Sequence, residues 1–495
     1  MLFPSLLFFI LLSQLAYAAT PHRHGKRSPG TLDLVNSHNV QYSTNITVAG
    51  QSFQVAIDTK SSDLWVVSDS LQATTLSNDT IVLLSLPSNA SGTAMAAPVE
   101  FGGGSTANQA FLLVSPDGID VPVGHGVLGV GPSNSSGIFV LFDSAGNTVM
   151  DNLFIANTLA DPFITIFLGR FDDPLALDFD GELTIAQTIP GWEAITNEPK
   201  LPVTTSAAVT ILGQKFQVLL DDNGFLGPDG KPIAVPFNSS VTNSPRPTVG
   251  FDSSSPFSQV PTSVAAAIYS PYGADAQLTD VSEVDGAIWV VACDVEVNVT
   301  LLFGGEAYPV HPLDATLDPV VLGFAPLALA SGKQGCIGSF QPADLSTELP
   351  IFDMVLAQPF LRSAYTLLYY GNLIQGFTNK SDPYVQLMST VNATQAHQDF
   401  ITQRLNGTDT TSTSTYNYSK VSSQLDVADD SSSGSDSGGL PWKTAKIVII
   451  ALGAACGLLL IAIIAAVVAW RRAKERGEAR GSYQPVHLPG LDKAY

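Results

Sequence analysis

Cysteine, charge and long amphipathic helices are all scarce in this sequence. Of 495 residues only 3 are cysteine and 13% are charged, and 22 Lys+Arg against 44 Asp+Glu give a formal net charge of −22. So acidic a chain is a poor partner for nucleic acid, and we expect none. The sequence contains no C-x-x-C pair, no histidine-rich cluster and no G-x-S-x-G element. Their absence excludes a thiolate metal site and argues against a serine hydrolase.

Hydrophobic and turn-forming residues are abundant instead. Hydrophobic residues make up 45% of the chain, and there are 41 Gly and 32 Pro, a composition that favours many turns and short strands. Apolar and polar residues alternate over residues 42–48, 53–57 and 211–218, as expected for strands. We therefore predict an all-β body over residues 38–392, which is too long for one core and is expected to form two lobes.

Two hydrophobic segments lie outside this body. Residues 1–18 combine an apolar run with Ala16-Tyr17-Ala18, the pattern of a secretory signal peptide. Residues 447–470 form an uncharged run followed by four basic residues, which predicts a single transmembrane helix with the C-terminus in the cytosol. The ectodomain is then extracellular or lumenal in a type I membrane protein, and membrane lipid is a partner through one helix.

The remaining segments complete the predicted organisation. Residues 393–446 are rich in Ser, Thr, Asp and Gly and predict a flexible stalk. N-x-Ser/Thr sequons on the lumenal side predict a glycoprotein; they include Asn45, Asn78, Asn89, Asn134, Asn238, Asn298 and Asn392. The predicted order is signal peptide 1–18, short pro or N-terminal segment 19–37, N-terminal lobe 38–200, C-terminal lobe 201–392, stalk 393–446, transmembrane helix 447–470 and cytosolic tail 471–495.

One short segment carries most of the chemical information. Residues 53–67 read FQVAIDTKSSDLWVV and closely resemble the first active-site segment of the pepsin family of aspartic proteases, Asp-Thr-Gly-Ser-Ser-x-Leu-Trp-Val after a hydrophobic strand. Only Lys60, at the glycine position, departs from that pattern. A weaker match follows at residues 248–256, TVGFDSSSP, where Ser254 occupies the glycine position.

Further landmarks follow in the order of that family. Residues 127–131 resemble its Gly-Ile-Leu-Gly-Leu element, residues 181–185 the last strand of its N-terminal lobe, and residues 359–369 its closing Phe-Leu-Arg segment. The third cysteine lies inside the predicted membrane span, which leaves Cys293 and Cys336 to pair. These two also occupy the places of the family's C-terminal lobe disulfide.

The resemblance implies a bilobal pepsin-like acid protease fold and a catalytic pair formed by Asp58 and Asp252. Two carboxyl groups that share a proton activate a water as general base and polarise the scissile carbonyl. A polypeptide substrate would lie extended in the cleft beneath a flap, to which we assign Phe101 and Gly102, with Trp65 behind it. No metal or organic cofactor is implied, and we expect a monomer.

The residues at the two glycine positions, Lys60 and Ser254, leave open whether the aspartate pair is catalytically active. The ammonium group of Lys60, about 4 Å from a carboxylate, would change its pKa by about three units and remove the shared proton. Alternatively, the long stem carries the charge out to water. Two functions follow: a membrane-anchored aspartic endopeptidase of altered efficiency, or an inactive homologue that binds polypeptides. A glycosylated structural surface protein is a third reading, but it leaves the paired aspartate loops unexplained.

Overall fold

The computed structural model describes residues 30–83, 90–119, 121–156, 160–171, 179–205, 213–228, 230–233, 239, 241–242, 244–281, 286–343, 345, 351–376 and 381–411. The chain divides into two compact units, Met1–Val427 and Ala428–Tyr495, and every described residue belongs to the first. The predicted signal peptide, transmembrane helix and cytosolic tail lie outside the described residues. Within the part described, no helix is both long and apolar enough to cross a membrane.

Strands dominate the first half of the described chain. They are β1 (Thr31–Asp33), β2 (Val35–Ser37), β3 (Gln41–Val48), β4 (Gln51–Asp58), β5 (Leu64–Val67), β6 (Thr74–Leu83), β7 (Ala90–Phe101), β8 (Gly104–Val114), β9 (His125–Gly129), β10 (Phe163–Leu168) and β11 (Gly181–Ile185).

The second half is also mainly strands. They are β12 (Leu201–Pro202), β13 (Gln217–Leu219), β14 (Phe225–Leu226), β15 (Thr248–Asp252), β16 (Ser258–Val260), β17 (Ala276–Asp280), β18 (Ala287–Ala292), β19 (Thr300–Phe303), β20 (Glu306–Pro309), β21 (Thr316–Leu317), β22 (Leu327–Ala328), β23 (Gln334–Gly338), β24 (Phe340–Pro342), β25 (Met354–Ala357), β26 (Ala364–Tyr369) and β27 (Tyr384–Ser389).

The α-helices are short. They are α1 (Gly137–Phe142), α2 (Val149–Ala156), α3 (Thr262–Tyr269), α4 (Pro312–Ala315), α5 (Gln358–Leu361) and α6 (Ala393–Arg404). The prediction of a mainly β body is therefore confirmed.

The N-terminal lobe is built around an eight-stranded sheet in the order β2-β3-β4-β9-β5-β8-β7-β6. Strands β3 and β4 form a tight hairpin around Ala49 and Gly50, both of which have positive φ, the conformation that suits a two-residue loop. Apolar residues at alternate positions of β4, Phe53, Val55 and Ile57, are buried. This alternation fixes the register and carries the strand into the core.

The C-terminal lobe repeats this arrangement. In the first lobe β3 runs antiparallel to β4, β4 parallel to β9, β9 antiparallel to β5 and β5 parallel to β8. In the second, β13, β15, β25, β16 and β24 follow in the same order with the same directions. The two aspartate-bearing strands, β4 and β15, therefore occupy equivalent places.

Three further sheets complete the body. A six-stranded sheet in the order β1-β11-β10-β26-β27-β12 takes strands from both halves of the chain, with β10 antiparallel to β26. The other two, β14-β19-β20 and β17-β18-β23-β21 with β22 on β23, belong to the second half. A disulfide joins Cys293, just after β18, to Cys336 in β23, which confirms the predicted pairing.

The start of the predicted stalk is helical in the structure. Helix α6 begins after Asn392, whose side chain accepts hydrogen bonds from the amides of Thr394 and Gln395, and such a cap stabilises a helix start by about 1 kcal/mol. Its residues Phe400 and Ile401 are buried. The stalk boundary at residue 393 is thus corrected, because two apolar residues among polar neighbours are enough to dock one amphipathic face.

Candidate active site

Asp58 and Asp252 end two equivalent buried strands. Asp58 is the last residue of β4 and pairs with Gly129 of β9, and Asp252 is the last residue of β15 and pairs with Ala357 of β25. Each carboxyl group follows an apolar strand that the core holds in place, and both aspartates are only 2% exposed. The carboxyl ends of two rigid strands therefore position the two side chains.

Reciprocal hydrogen bonds join the two loops. Thr59 Oγ1 donates to the Phe251 carbonyl oxygen at 2.8 Å and accepts from the Ser253 amide at 3.0 Å. Ser253 Oγ donates to the Ile57 carbonyl oxygen at 2.7 Å and accepts from the Thr59 amide at 3.1 Å. Because each hydroxyl serves the backbone of the opposite loop, the two aspartates are held side by side with approximate two-fold symmetry.

Each carboxylate also receives an amide two residues further on. Lys60 N donates to Asp58 Oδ1 at 2.8 Å, and Ser254 N donates to Asp252 Oδ1 at 2.9 Å. Neither Lys60 nor Ser254 has a positive φ. The local backbone therefore carries a side chain at both glycine positions without the left-handed conformation that would strain it.

The side chains at these two positions converge on one aspartate. Lys60 Nζ lies 2.8 Å from Asp252 Oδ2, and the Lys60 side chain is only 17% exposed. Ser254 Oγ donates to Asp252 Oδ1 at 2.6 Å. Of the two alternatives for Lys60, the structure confirms the close approach to a carboxylate, and the ammonium does not extend into water.

The two carboxyl groups consequently differ in acidity. Burial and the neighbouring Asp252 charge raise the pKa of Asp58, against the opposing effect of Lys60. Burial also acts to raise the pKa of Asp252, but the Lys60 ammonium and the Ser254 hydrogen bonds outweigh it and lower that pKa. The arrangement favours a neutral Asp58 beside an ionised Asp252. Lys60 thus lowers the pKa of Asp252, whereas the pKa of Asp58 is raised despite the same ammonium.

The turn at Phe101 and Gly102 does not occupy the predicted flap position. The Gly102 carbonyl oxygen accepts a hydrogen bond from Gly30 N at 2.5 Å, and Gly102 lies against Leu32 of β1. Phe101 is buried in the large core, whereas Trp65 packs in a separate, smaller cluster. The assignment of Phe101 and Gly102 to a flap over the dyad is therefore wrong.

The hairpin that packs beside Trp65 is formed by β6 and β7. Ile81, Leu83 and Ala90 share the small cluster with Trp65. A side-chain carbon added at Gly137 would meet Leu83 Cδ2 at 2.8 Å and Asp63 Oδ2 at 3.7 Å, so Leu83 lies close to the Asp58 loop. Strand β7 belongs to two successive hairpins, and the motif spacing selected the wrong one. The connection between β6 and β7 lies outside the described residues.

Two charged residues near the dyad were missed by the sequence analysis. Asp63 is buried and accepts hydrogen bonds from Ser136 Oγ, Gly137 N and Ile138 N at the start of α1. Lys215 is partly buried, within electrostatic reach of Asp58, Asp63 and Lys60. Asp63 could have been noticed inside the first motif, but no sequence pattern marks Lys215. In the described part of the chain, no group of three or more His, Cys, Asp or Glu side chains is arranged to hold a metal ion.

Comparison with known proteins agrees with this geometry. Residues 41–177 match the family model for eukaryotic aspartyl protease. A curated relative, major aspartyl peptidase 1 of Cryptococcus neoformans var. grubii, is 26% identical over 148 residues, which cover 30% of this chain and 27% of the relative. The chain thus matches about a quarter of the length of that relative.

The fold has a solved counterpart. The crystal structure of the aspartic proteinase from Irpex lacteus superposes with a TM-score of 0.53 at 15% identity, covering 74% of this chain and 99% of that one. At this identity the likeness concerns the fold, a bilobal, mainly β body. Over residues 41–177 the chain is thus similar to eukaryotic aspartyl proteases, and the structural neighbour shows the same fold.

Proposed function

We propose that this protein is an aspartic endopeptidase that cleaves polypeptides through Asp58 and Asp252, at a rate that Lys60 reduces. The observation that carries the proposal is the pairing of the two aspartates by reciprocal hydrogen bonds from Thr59 and Ser253. Such pairing keeps two buried carboxyl groups at fixed positions, as general acid–base catalysis of peptide hydrolysis requires.

The acidity difference assigns a role to each residue. Asp252, ionised, takes a proton from a water whose oxygen attacks the peptide carbonyl carbon, while Asp58, neutral, gives its proton to the carbonyl oxygen. The tetrahedral diol then breaks its C–N bond as Asp252 gives its proton to the leaving amine and one diol hydroxyl gives its proton to Asp58, so the dyad returns to its single-proton state. Lys60 slows the first step, because an ion-paired carboxylate is a weaker base.

A second candidate function, a polypeptide-binding homologue without peptidase activity, is favoured by one specific observation. Asp252 Oδ1 accepts from the amide and hydroxyl of Ser254, while Asp252 Oδ2 is in contact with Lys60 Nζ. Both oxygens of the predicted base are therefore engaged. A water nucleophile has to compete with an ammonium group for the same oxygen, and a strong competitor would leave only binding.

Cleavage of a denatured protein between about pH 3 and 6 tests the proposal. We expect slow cleavage by the full-length chain, none by Asp58→Asn, and cleavage at least about tenfold faster by Lys60→Gly and by Lys60→Gly combined with Ser254→Gly, because the ion pair is removed. Lys231→Gly, at an exposed surface position, is the matched control and should behave like the unaltered chain. Folded Lys60→Gly and double variants that remain inert would favour the binding function.

The cellular setting is part of the proposal. The apolar run at 447–470 and the signal pattern at 1–18 support a type I membrane protein with a glycosylated lumenal or extracellular body, which meets polypeptide substrates on that side. Retention in the membrane pellet after alkaline extraction, together with a mass decrease after glycosidase treatment, would support this placement. Release of the full-length chain by alkali would contradict it.

A further inference from the structure

Lys215 is a second lysine within electrostatic reach of Asp58. Strand β13 pairs antiparallel with β15, with Gln217 opposite Gly250. Continuing this register by two residues sets Lys215 opposite Asp252. Lys215 lies just outside β13, which begins at Gln217, so this register places Lys215 near the end of the strand that carries Asp252.

The backbone around Lys215 is held on both sides. Lys215 N donates to Gln217 Oε1 at 3.1 Å, and Gln214 Nε2 donates to the Lys215 carbonyl oxygen at 2.7 Å. The next residue, Phe216, is buried and packs edge-on against Tyr370 with ring centroids 4.9 Å apart. The position of the lysine is thus set by the fold, and the segment cannot turn over without breaking these contacts.

The ammonium of Lys215 has no carboxylate partner of its own among the described residues. Its charge interacts electrostatically with Asp58, Asp63 and Lys60. Asp63 is already satisfied by three donors from the start of α1. A partly buried cation beside satisfied acceptors is incompletely compensated, and an incoming carboxylate would compensate it.

We propose that Lys215 is a specificity-determining residue that binds a carboxylate of the polypeptide in the cleft, so that the substrate class is acidic polypeptides. The inference rests on the proposed function and names its preferred substrate. The carboxylate comes either from an Asp or Glu side chain near the bond over the dyad or from the chain terminus.

The charge of the whole protein sharpens this selectivity. The chain carries a formal net charge of −22, so its average surface repels acidic polypeptides. A local cationic site on such a surface binds a polypeptide with one carboxylate at the right position more tightly than a polypeptide that is merely acidic overall. The recognition therefore depends on position along the polypeptide.

The preference for a carboxylate-bearing peptide should be limited to a pH window. Burial lowers the pKa of Lys215 to about 8, although Asp58 and Asp63 act in the opposite direction. A Glu side chain in a flexible peptide ionises near pH 4.3. Both charges coexist only between these values, so discrimination should appear above about pH 4.5 and disappear as the pH rises past about 8.

Peptide binding tests the inference without requiring turnover. Fluorescence anisotropy with the full-length Asp58→Asn chain compares peptides that carry Glu or Gln at successive positions, and peptides with a free or amidated C-terminus. At pH 6 we expect one Glu peptide to bind about five- to tenfold more tightly than its Gln counterpart. If the terminal carboxylate is the ligand, the free-acid peptide shows this advantage over its amide instead.

Substitution of Lys215 decides the assignment. Lys215→Met has a side chain of similar length without charge, so it should reduce the ratio of affinities for the carboxylate-bearing and neutral peptides to about one. Lys215→Arg and the surface control Lys231→Met should keep this ratio. An unchanged ratio in Lys215→Met would overturn the inference. Discrimination retained by a chain that cleaves nothing would contradict only the proposed peptidase function, and cleavage without discrimination would contradict only the role of Lys215. Absence of binding by any peptide would overturn both.

Discussion

The two aspartate loops share a backbone design but differ in charge. In both, the aspartate ends a buried strand, the next hydroxyl bonds to the opposite loop, and the amide after that donates back to the carboxylate. The side chains at the third position differ. Lys60 crosses to the aspartate of the other loop, while Ser254 turns back to its own. Both altered side chains therefore contact Asp252, whereas the direct contact from Lys60 to Asp58 is made by its backbone amide.

The fold repeats the backbone of the two loops, but the ionisation of each carboxyl group depends on side chains that differ between them. Symmetry of strands and hydrogen bonds explains why the aspartates meet. It does not set which carboxyl group is ionised, because that depends on one ammonium and one hydroxyl that have no counterpart on the other side. Near-symmetric backbones thus hold a strongly asymmetric pair of acids.

Removing the shared hydrogen bonds should produce the largest effect and test whether the two loops are equivalent. Thr59→Val leaves the Phe251 carbonyl and the Ser253 amide without their partner, and Ser253→Ala does the same to Ile57 and Thr59. Each should lower the free energy of unfolding by about 2 to 4 kcal/mol, because buried polar groups become unsatisfied. Urea unfolding measures this.

The control for this experiment is Thr47→Val, a partly buried strand position whose substitution should cost about 0.5 kcal/mol or less. Clearly unequal costs for the two loop variants would show that one loop maintains the pairing alone.

Replacing each aspartate should reveal the charge difference through stability. Asp252→Asn removes the carboxylate that pairs with Lys60 Nζ and should cost about 2 kcal/mol at pH 7, less than for a fully buried pair because the Lys60 side chain is 17% exposed. The Asp252 pKa is lowered on folding, so its stabilising effect is present above its unfolded pKa and lost as the pH falls through the folded pKa. The deficit of Asp252→Asn should therefore shrink toward pH 2.

Asp58→Asn should show the opposite trend. The Asp58 pKa is raised on folding, so its contribution is present below the unfolded pKa and lost as the pH rises through the folded pKa. Relative to the unaltered chain, Asp58→Asn should be less stable near pH 3 and equal or more stable at pH 7. Thermal unfolding midpoints at pH 3, 5 and 7 compare the variants. Parallel curves for both substitutions would refute the assignment of one proton to Asp58.

The smallest effect is expected from Ser254→Ala, which tests how much the Ser254 hydroxyl contributes to lowering the Asp252 pKa. The variant keeps the Ser254 amide on Asp252 but loses the hydroxyl bond, so the Asp252 pKa should rise only slightly. On acidification, the stability of the variant should then be lost at a correspondingly higher pH, which a plot of the thermal unfolding midpoint against pH would show. Ser255→Ala is the neighbouring control, since its hydroxyl bonds to Phe257. A shift as large in Ser255→Ala would indicate a general loop effect.

Much of the architecture follows from local sequence patterns. Alternating apolar residues in β4, the tight turn at Ala49 and Gly50 and the polar run after Ile57 are enough to place Asp58 at a strand end. Likewise Cys293 and Cys336 remained as the pair available for a disulfide, which the structure contains. These features depend on neighbours in the chain or on simple counting, so they could be predicted.

The flap and the start of the stalk were predicted wrongly, because one strand takes part in two hairpins and because a polar composition conceals a few buried side chains. Phe101 precedes a glycine-rich turn, but β7 contributes to two hairpins, and only sheet packing shows which one lies beside Trp65. The polar composition after residue 393 concealed Phe400, whose burial docks α6. Composition describes an average, whereas docking depends on a few side chains on one face.

The sequence by itself determined the mainly β body, the two aspartate-bearing strand ends and the presence of a lysine and a serine at the altered positions. Tertiary structure alone decided which carboxylate Lys60 reaches, in which direction the pKa values of Asp58 and Asp252 differ, and that Lys215 lies within electrostatic reach of the same site. The physical reason is distance: electrostatic energy depends on separations of a few ångströms between atoms that lie far apart along the chain.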